Sequence, residues 1–444
     1  MDQATYQSTS FGTAERNNPW RVSLAASLGS FIEYYDFAVY AVMALTMAPL
    51  FFAVQSQTTA VLSALLVYAL AFVVRPIGAV TFGWLGDRYG RRNALIITII
   101  GMGIGSTGIG LLPTYSQIGV LAPALLVTLR IVQGFFAGGE VSGAATYVSE
   151  CAPQGRKGFF GSINVTGVMA GGAAASVTGA IVRTMIPHDA LLSWGWRVPF
   201  FVSVPLLLVG LFARLKLEDS NEFEVAAQRH ELVKAPVLEV FRHHFRALLQ
   251  TFGLAFGMTV TGLFSSAYLF IYIVNVAKLP IGWASWTFAI VECVAVSMTP
   301  FVGLIADRTG PKPPVVVGLL GYIVLTPLAM IVMATHDLNA SAFMLLLLAV
   351  PHALVQGAVY PIYPELFPTH VRYSGMALGF NVAIVVGGGI APWVSSTLAE
   401  TFQTPVAGSG YVVLGGIVAM IALFTVRRGD PRRAVPTLNP ARSV

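Results

Sequence analysis

Runs of about twenty apolar residues succeed one another down this chain, and that length lets an α-helix cross the ~30 Å hydrocarbon layer of a bilayer. Inside lipid every backbone N–H and C=O must be bonded within the protein, which leaves only helices or a closed barrel. No alternation of period two recurs, so a barrel is excluded. The fold class is therefore an all-α integral membrane protein. Only 10% of the 444 residues are charged, against about 25% in soluble domains, and the mean hydropathy is +0.74. Twelve spans are expected, over residues 22–48, 60–84, 94–112, 119–146, 158–182, 197–213, 248–275, 284–306, 314–334, 341–363, 374–399 and 410–426.

An even number of spans puts both ends on one side. With the ends inside, twenty-one of the 26 Lys and Arg residues fall in the tails, the inner loops and their flanks. Arg183, Arg197 and Lys278 fall outside, while Arg75 and Arg130 lie within spans. This is the positive-inside bias, so the net charge of +6 records topology and not a nucleic-acid surface. The expected protein is a monomer in the cell membrane with both termini cytoplasmic. It divides into a tail (1–21), a six-helix bundle (22–213), a cytoplasmic loop (214–247), a second six-helix bundle (248–426) and a tail (427–444). The loop mixes charges of both signs and reads as a short surface helix joining the halves. The first 18 residues lack the order of a signal peptide, and Cys151 and Cys293 suggest neither a redox motif nor a disulfide.

The two halves repeat a motif. GWLGDRYGRR (83–92) matches GLIADRTGPK (303–312), with Asp87 aligned to Asp307 and Arg88 to Arg308. Later, ECAPQGR (150–156) has its counterpart in ELFPTHVR (365–372). Parallel repeats with a path between them are a common plan of secondary transporters. An aspartate at such a loop can accept from a helix N-terminus, and arginines can reach acids on neighbouring helices. Asp87, Arg88, Arg91, Glu150, Arg156, Asp307, Arg308, Glu365 and Arg372 are thus the expected latch between the cytoplasmic ends. The second copy, with one arginine fewer and Pro311, Pro313 and Pro314, should hold more weakly.

GWLGDRYGRR resembles the loop signature of the major facilitator superfamily. FIEYYDF (31–37), VRPIGA (74–79), RIVQGFFAGGEVSGAATYVSE (130–150), GWRVPF (195–200) and YPELFP (363–368), taken in order, resemble its metabolite:proton symporter branch. The resemblance implies a major facilitator fold of two pseudo-symmetric six-helix bundles. It also implies import of small metabolites with protons, either mono-, di- or tricarboxylates or zwitterionic osmolytes. Osmosensing members of that branch often carry a long C-terminal coiled coil, and residues 427–444 hold no heptads.

Counted from Arg21, Glu33 and Asp36 lie roughly 18 and 22 Å deep at 1.5 Å per residue. Unpaired charge at that depth is strongly disfavoured. Arg75 and Arg130 can compensate Glu33, Asp36 and Glu140 around a wet cavity. An anionic substrate docking on an arginine would withdraw that cation from the acids, a proton would bind, and the more nearly neutral carrier could close. The guanidinium fork suits a planar carboxylate, so the expected reaction is proton symport of a small organic acid. Asp36, Glu33 and Glu140 are the proton-coupling candidates, and Arg75, Arg130, Tyr34, Tyr35, Gln133 and Asn381 the substrate-binding ones. Structural ion pairs between helices are the competing reading of the arginines, and interhelical hydrogen bonding that of Gln133, Asn164, Gln356, Tyr360 and Asn381. Glu292 is a candidate second proton site and His352 a candidate relay.

The alternatives are a zwitterionic osmolyte symporter of the proline or betaine kind, an uncoupled facilitator, and a membrane-embedded enzyme or transporter-like sensor. No nucleophile–base set or ligand cluster supports an enzyme. No Walker sequence is present, and no metal or cofactor is expected. GMGIGSTGIG (101–110) has no preceding strand, so it reads as a helix-packing surface rather than a dinucleotide loop.

Overall fold

A computed structural model describes residues 19–52, 57–89, 91–215, 236–368 and 371–426 of the chain. Among these residues there are only helices and turns, arranged as twelve successive elements. The first six are α1 (Pro19–Phe51), α2 (Gln57–Tyr89), α3 (Arg91–Leu111), α4 (Leu121–Ala137 and Glu140–Cys151), α5 (Lys157–Met185) and α6 (Val198–Leu215). The next, α7, starts as Phe245–Leu263 and runs on through two π-helical turns, Phe264–Tyr268 and Tyr272–Val276. There follow α8 (Ile281–Thr309), α9 (Lys312–Met333) and α10 (Leu338–Val359). The last are α11 (Arg372–Ala383, the π turn Ile384–Gly389, then Ala391–Thr401) and α12 (Gly410–Thr425). Nine helices among the described residues are long and apolar enough to span a membrane, and Ile96–Leu111 and Leu121–Ala137 are shorter apolar helices.

The all-α reading holds, and the differences lie inside the spans. The expected single helix over 119–146 breaks at Gly138 and Gly139. At the break the helices are in close contact: a methyl group on Gly138 would lie 2.1 Å from the Arg75 carbonyl oxygen. Here α4 and α2 touch backbone to backbone, which no larger residue permits. The expected span 341–363 is interrupted at Tyr360–Pro361, because proline brings no N–H to continue the ladder.

Packing repeats with the sequence. In the first half α1 packs on α5, α2 on α4, and α3 on α6. Adding six to each number gives the second half: α7 on α11, α8 on α10, and α9 on α12. The halves meet along α5–α8 and α2–α11, again a related pair. Large apolar side chains such as Ile77, Phe212, Phe301, Phe343 and Phe424 point outward, as lipid contact requires. Of the expected loop, residues 216–235 lie outside the described residues. The helix Pro236–His243 follows, and its Val240 packs with Leu248, Phe367 and Val371.

Candidate functional site

Three residues along a helix leave Glu33 and Asp36 about 60° apart, because each residue advances about 100°. That angle divides them between two neighbourhoods. Glu33 meets Arg75 of α2, Nη2 to Oε1 3.1 Å, with both side chains almost fully buried. The Arg75 guanidinium also lies over the rings of Phe37 (4.1 Å to the centroid) and Phe72 (4.9 Å). Cation–π contact of this kind is worth most where water is excluded.

Asp36 belongs to a separate network inside the first bundle. Arg130 Nη1 donates to Gln133 Oε1 (2.8 Å), and Gln133 Nε2 donates to Ser106 Oγ (2.7 Å). Ser106 on α3 and Ser203 on α6 both face the Asp36 carboxylate, and the charges of Arg130 and Glu140 reach it. Since Ser106 accepts from Gln133, its own hydrogen is free for Asp36. The donors therefore run one way, from a cation to a carboxylate across three helices. Arg130 is completed by the Tyr68 carbonyl at 3.5 Å and by the rings of Tyr40, Phe37 and Tyr68. Asp36 Oδ1 and Ser203 Oγ are buried with no hydrogen-bond partner among the described residues.

The expected ring of two arginines facing shared acids is therefore two sub-sites divided by Phe37, whose ring both guanidiniums touch. Gln133, expected on the substrate, is engaged at both ends within the Asp36 network. Tyr35 turns away from the Glu33–Arg75 pair and donates to the Pro199 carbonyl (3.0 Å). Glu140 is buried at the start of the second piece of α4. Asn164 holds α5 to α1 by accepting from Ser30 Oγ at 3.1 Å.

Between the bundles the pair adjoins aromatic side chains. Tyr34 faces both Arg75 and Tyr360. Tyr360, Tyr363 and Phe380 stand edge-on or tilted with ring centroids 5.8–6.1 Å apart. Tyr360 Oη is buried, with Tyr34 as its polar neighbour. A void of about 10 Å³ beside Tyr360 and Asn164 has room for one water. Asn381 lies across the bundle boundary, donating to Ala377 O (2.8 Å) and reaching Gly138 O (3.5 Å).

Both ends of the boundary are held. At the expected cytoplasmic end, Asp307 on α8 accepts from the backbone N–H groups of Gly158 (2.7 Å) and Phe159 (3.0 Å). A carboxylate thereby caps the N-terminus of α5 in the opposite bundle, where the helix dipole favours negative charge. Gly158 and Gly303 make room for it: a methyl group on Gly303 would sit 2.7 Å from the Gly158 carbonyl oxygen. Lys157 pairs with Glu365 at 3.5 Å, Arg372 Nε donates to the Pro364 carbonyl (2.9 Å), and Arg156 and Arg308 are exposed. The side chains of Asp87, Arg88, Arg91 and Glu150 lie outside the described residues. At the opposite end, Arg183 on α5 donates to the Val42 carbonyl and to Ser285 Oγ on α8, and stacks on Phe270.

Sequence reasoning missed Ser106, Ser203, Lys157 and Arg183. Ser106 was hidden in a glycine-rich stretch that reads as packing surface, and Ser203 in a run of apolar residues. Arg183 counted only as a loop charge. A serine at helical depth beside a buried acid is the signal that was available.

The chain as a whole is similar to known proteins. Residues 26–383 match the model of the Major Facilitator Superfamily. The glycine betaine/proline/ectoine/pipecolic acid transporter OusA of Dickeya dadantii is 34% identical, over 90% of this chain and 81% of its own. The proline/betaine transporter of Escherichia coli K12 is 32% identical, over 94% and 85%. The inner membrane metabolite transport protein YhjE of Escherichia coli K12 is 33% identical, over 92% and 94%. Among solved structures, the xylose transporter XylE of Escherichia coli in a partially occluded inward-open conformation superposes with a TM-score of 0.75. At 18% identity over 92% of this chain and 98% of that one, it shares the fold.

Proposed function

Because this chain belongs to the Major Facilitator Superfamily, and is a multi-pass membrane transporter rather than an enzyme, we propose that it imports a small zwitterionic osmolyte of the betaine or proline type together with protons. The observation that carries this reading is the neutral, buried Glu33–Arg75 pair beside Tyr34 and Tyr360. An organic anion, the expectation from sequence, would bind Arg75 by displacing Glu33 and leave that carboxylate buried against a negative ligand. A zwitterion replaces both halves at once. Its carboxylate takes the Arg75 fork, and its ammonium goes to Glu33 and the tyrosine faces, which favour quaternary nitrogen. Relatives named for betaine and proline support the same class.

Proton coupling falls to Asp36. Its ionised form is held by the donor chain from Arg130 through Gln133 and Ser106. A proton on Oδ1 would find an acceptor in Ser203 Oγ, which has no other hydrogen-bond partner among the described residues. Protonation removes one buried charge, and the bundles can then part and reclose at less electrostatic cost. Asp307 on the α5 N-terminus and Arg183 on Val42 and Ser285 are the contacts that must break in turn for each face to open. The bias of basic residues supports the cell membrane with both termini cytoplasmic.

The test is uptake into proteoliposomes of radiolabelled glycine betaine, proline and a panel of mono- and dicarboxylates, with and without an inward proton gradient. Gradient-driven accumulation of betaine or proline is expected. Accumulation of carboxylates alone would overturn the zwitterion assignment, and equal, non-concentrative uptake in both conditions would overturn the symport.

A further inference from the structure

The second bundle has its own partly buried polar cluster, on the helices related by six to those around Asp36. The Asp36 network is built on α1, α3 and α4. Its counterpart is built on α7, α9 and α10. Tyr322 Oη on α9 lies 2.5 Å from His352 Nδ1 on α10, with the rings edge-on at 6.3 Å. Ser265 Oγ on α7 lies 3.4 Å from Tyr322 Oη while donating to Thr261 O at 2.8 Å. Glu292 on α8 is close enough for its charge to act on the Tyr322 hydroxyl. Gln356, one turn from His352, approaches the same stretch of α7 at Gly262.

The spans that pack around this cluster bring no lysine or arginine to it among the described residues. Between Arg246 and Arg308 the sole basic residue is Lys278, in the turn beyond α7, and α9 and α10 carry no arginine or lysine after Lys312. The other element packed on α10 is α5, which has no ionisable side chain between Lys157 and Arg183. Tyr322 is thus the titratable group in contact with His352, and Glu292 reaches the cluster through Tyr322. With a neutral imidazole and an ionised carboxylate the pair carries one negative charge. One added proton, on either group, brings it to zero.

We propose that His352, Tyr322 and Glu292 form a second proton-binding site, separate from Asp36, whose occupancy is coupled to movement of α7. Ser265 ties the cluster to the π-helical turn Phe264–Tyr268, the kind of local unwinding that recurs where helices must change shape. Beyond that turn, Ile271 packs against Ala48, Ala60 and Leu65 of α1 and α2. A proton gained or lost at His352 therefore acts on the helix that closes the end of the boundary opposite Asp307. This inference rests on the proton-symport reading and adds a second proton per cycle.

The experiment is a reversal-potential measurement on the full-length protein in liposomes, with glycine betaine as the probe and opposed substrate and proton gradients. The wild type is expected to move two protons per betaine, and His352→Gln and Glu292→Gln one each. Tyr322→Phe keeps the ring and the packing, and is expected to keep two protons with a several-fold slower uptake. A wild type that moves one proton, or an unchanged stoichiometry in both Glu292→Gln and His352→Gln, overturns the second site while leaving the symport standing. No proton dependence in the wild type overturns both. Should His352→Gln fail to fold, an unchanged stoichiometry in Glu292→Gln overturns the second site by itself.

Discussion

The first bundle keeps its buried charge by pairing it, and the second by having almost none that is fixed. In the first, Arg75 holds Glu33, and Arg130 holds Asp36 through Gln133 and Ser106. In the second, the related helices carry Ser265, Tyr322, His352 and Gln356, all of which can be neutral. Guanidiniums do not lose their protons in proteins, so only the acids beside them can titrate. Imidazole and carboxylate can each exchange a proton near neutrality when burial and neighbours permit. The comparison teaches two ways of carrying charge inside helices: one half pairs fixed cations with acids, and the other holds groups whose charge can vary.

The sharpest way to break this comparison is at Arg75. Arg75→Ala leaves Glu33 as an uncompensated buried charge, a change that typically costs ~3–5 kcal/mol. A large fall in thermal stability of the purified protein and loss of betaine uptake are expected. The double substitution Glu33→Gln, Arg75→Gln should recover most of the stability and none of the transport. If it recovers transport as well, the pair is a structural brace and not the ligand site.

Next in size is Asp36→Asn, which is expected to abolish uphill uptake while preserving betaine exchange across the liposome membrane. Full concentrative transport by this variant would remove Asp36 from the proton role. Ser106→Ala tests the donor chain more gently, and a few-fold slower gradient-driven uptake with unchanged exchange is the expected reading.

Asp307→Asn keeps the shape of the cap but removes its charge from the α5 N-terminus, an interaction worth roughly 0.3–2 kcal/mol. The face at Asp307 should open more often, seen as faster thiol labelling of an introduced cysteine at Ser162, which neighbours Gly303. Unaltered labelling would mean that Lys157–Glu365 and helix packing hold that end alone. Smallest of all, Tyr360→Phe removes a hydroxyl that faces Tyr34. A KM for betaine within about twofold is expected, against a rise of tenfold or so for Tyr360→Ala if the ring contributes about 1–2 kcal/mol to cation binding. Equal effects of the two would move the contribution from the ring face to the hydroxyl.

Span number and the repeated loop motif were legible because they are properties of composition and order. Twenty apolar residues span a bilayer whatever their neighbours, and an aspartate four residues beyond Gly303 lies one helical turn on. The buried acids and arginines were legible for a related reason, since any charge at that depth must be compensated. Legibility stopped at pairing. Glu33 and Asp36 read as one cluster because they are three residues apart, yet the 60° between them sends one to Arg75 and the other to Ser106.

By itself, then, the amino-acid order determined that this chain crosses the membrane repeatedly, and that Glu33, Asp36, Arg75 and Arg130 must find company inside. Tertiary structure alone decided which acid meets which base, that Phe37 stands between the two arginines, and that Asp307 reaches a helix of the other bundle. Hydrophobicity and helical rise act along one chain and can be counted residue by residue. Partnership between side chains depends on how helices rotate and how closely they approach, and that is set where Gly138 and Gly303 let backbones touch.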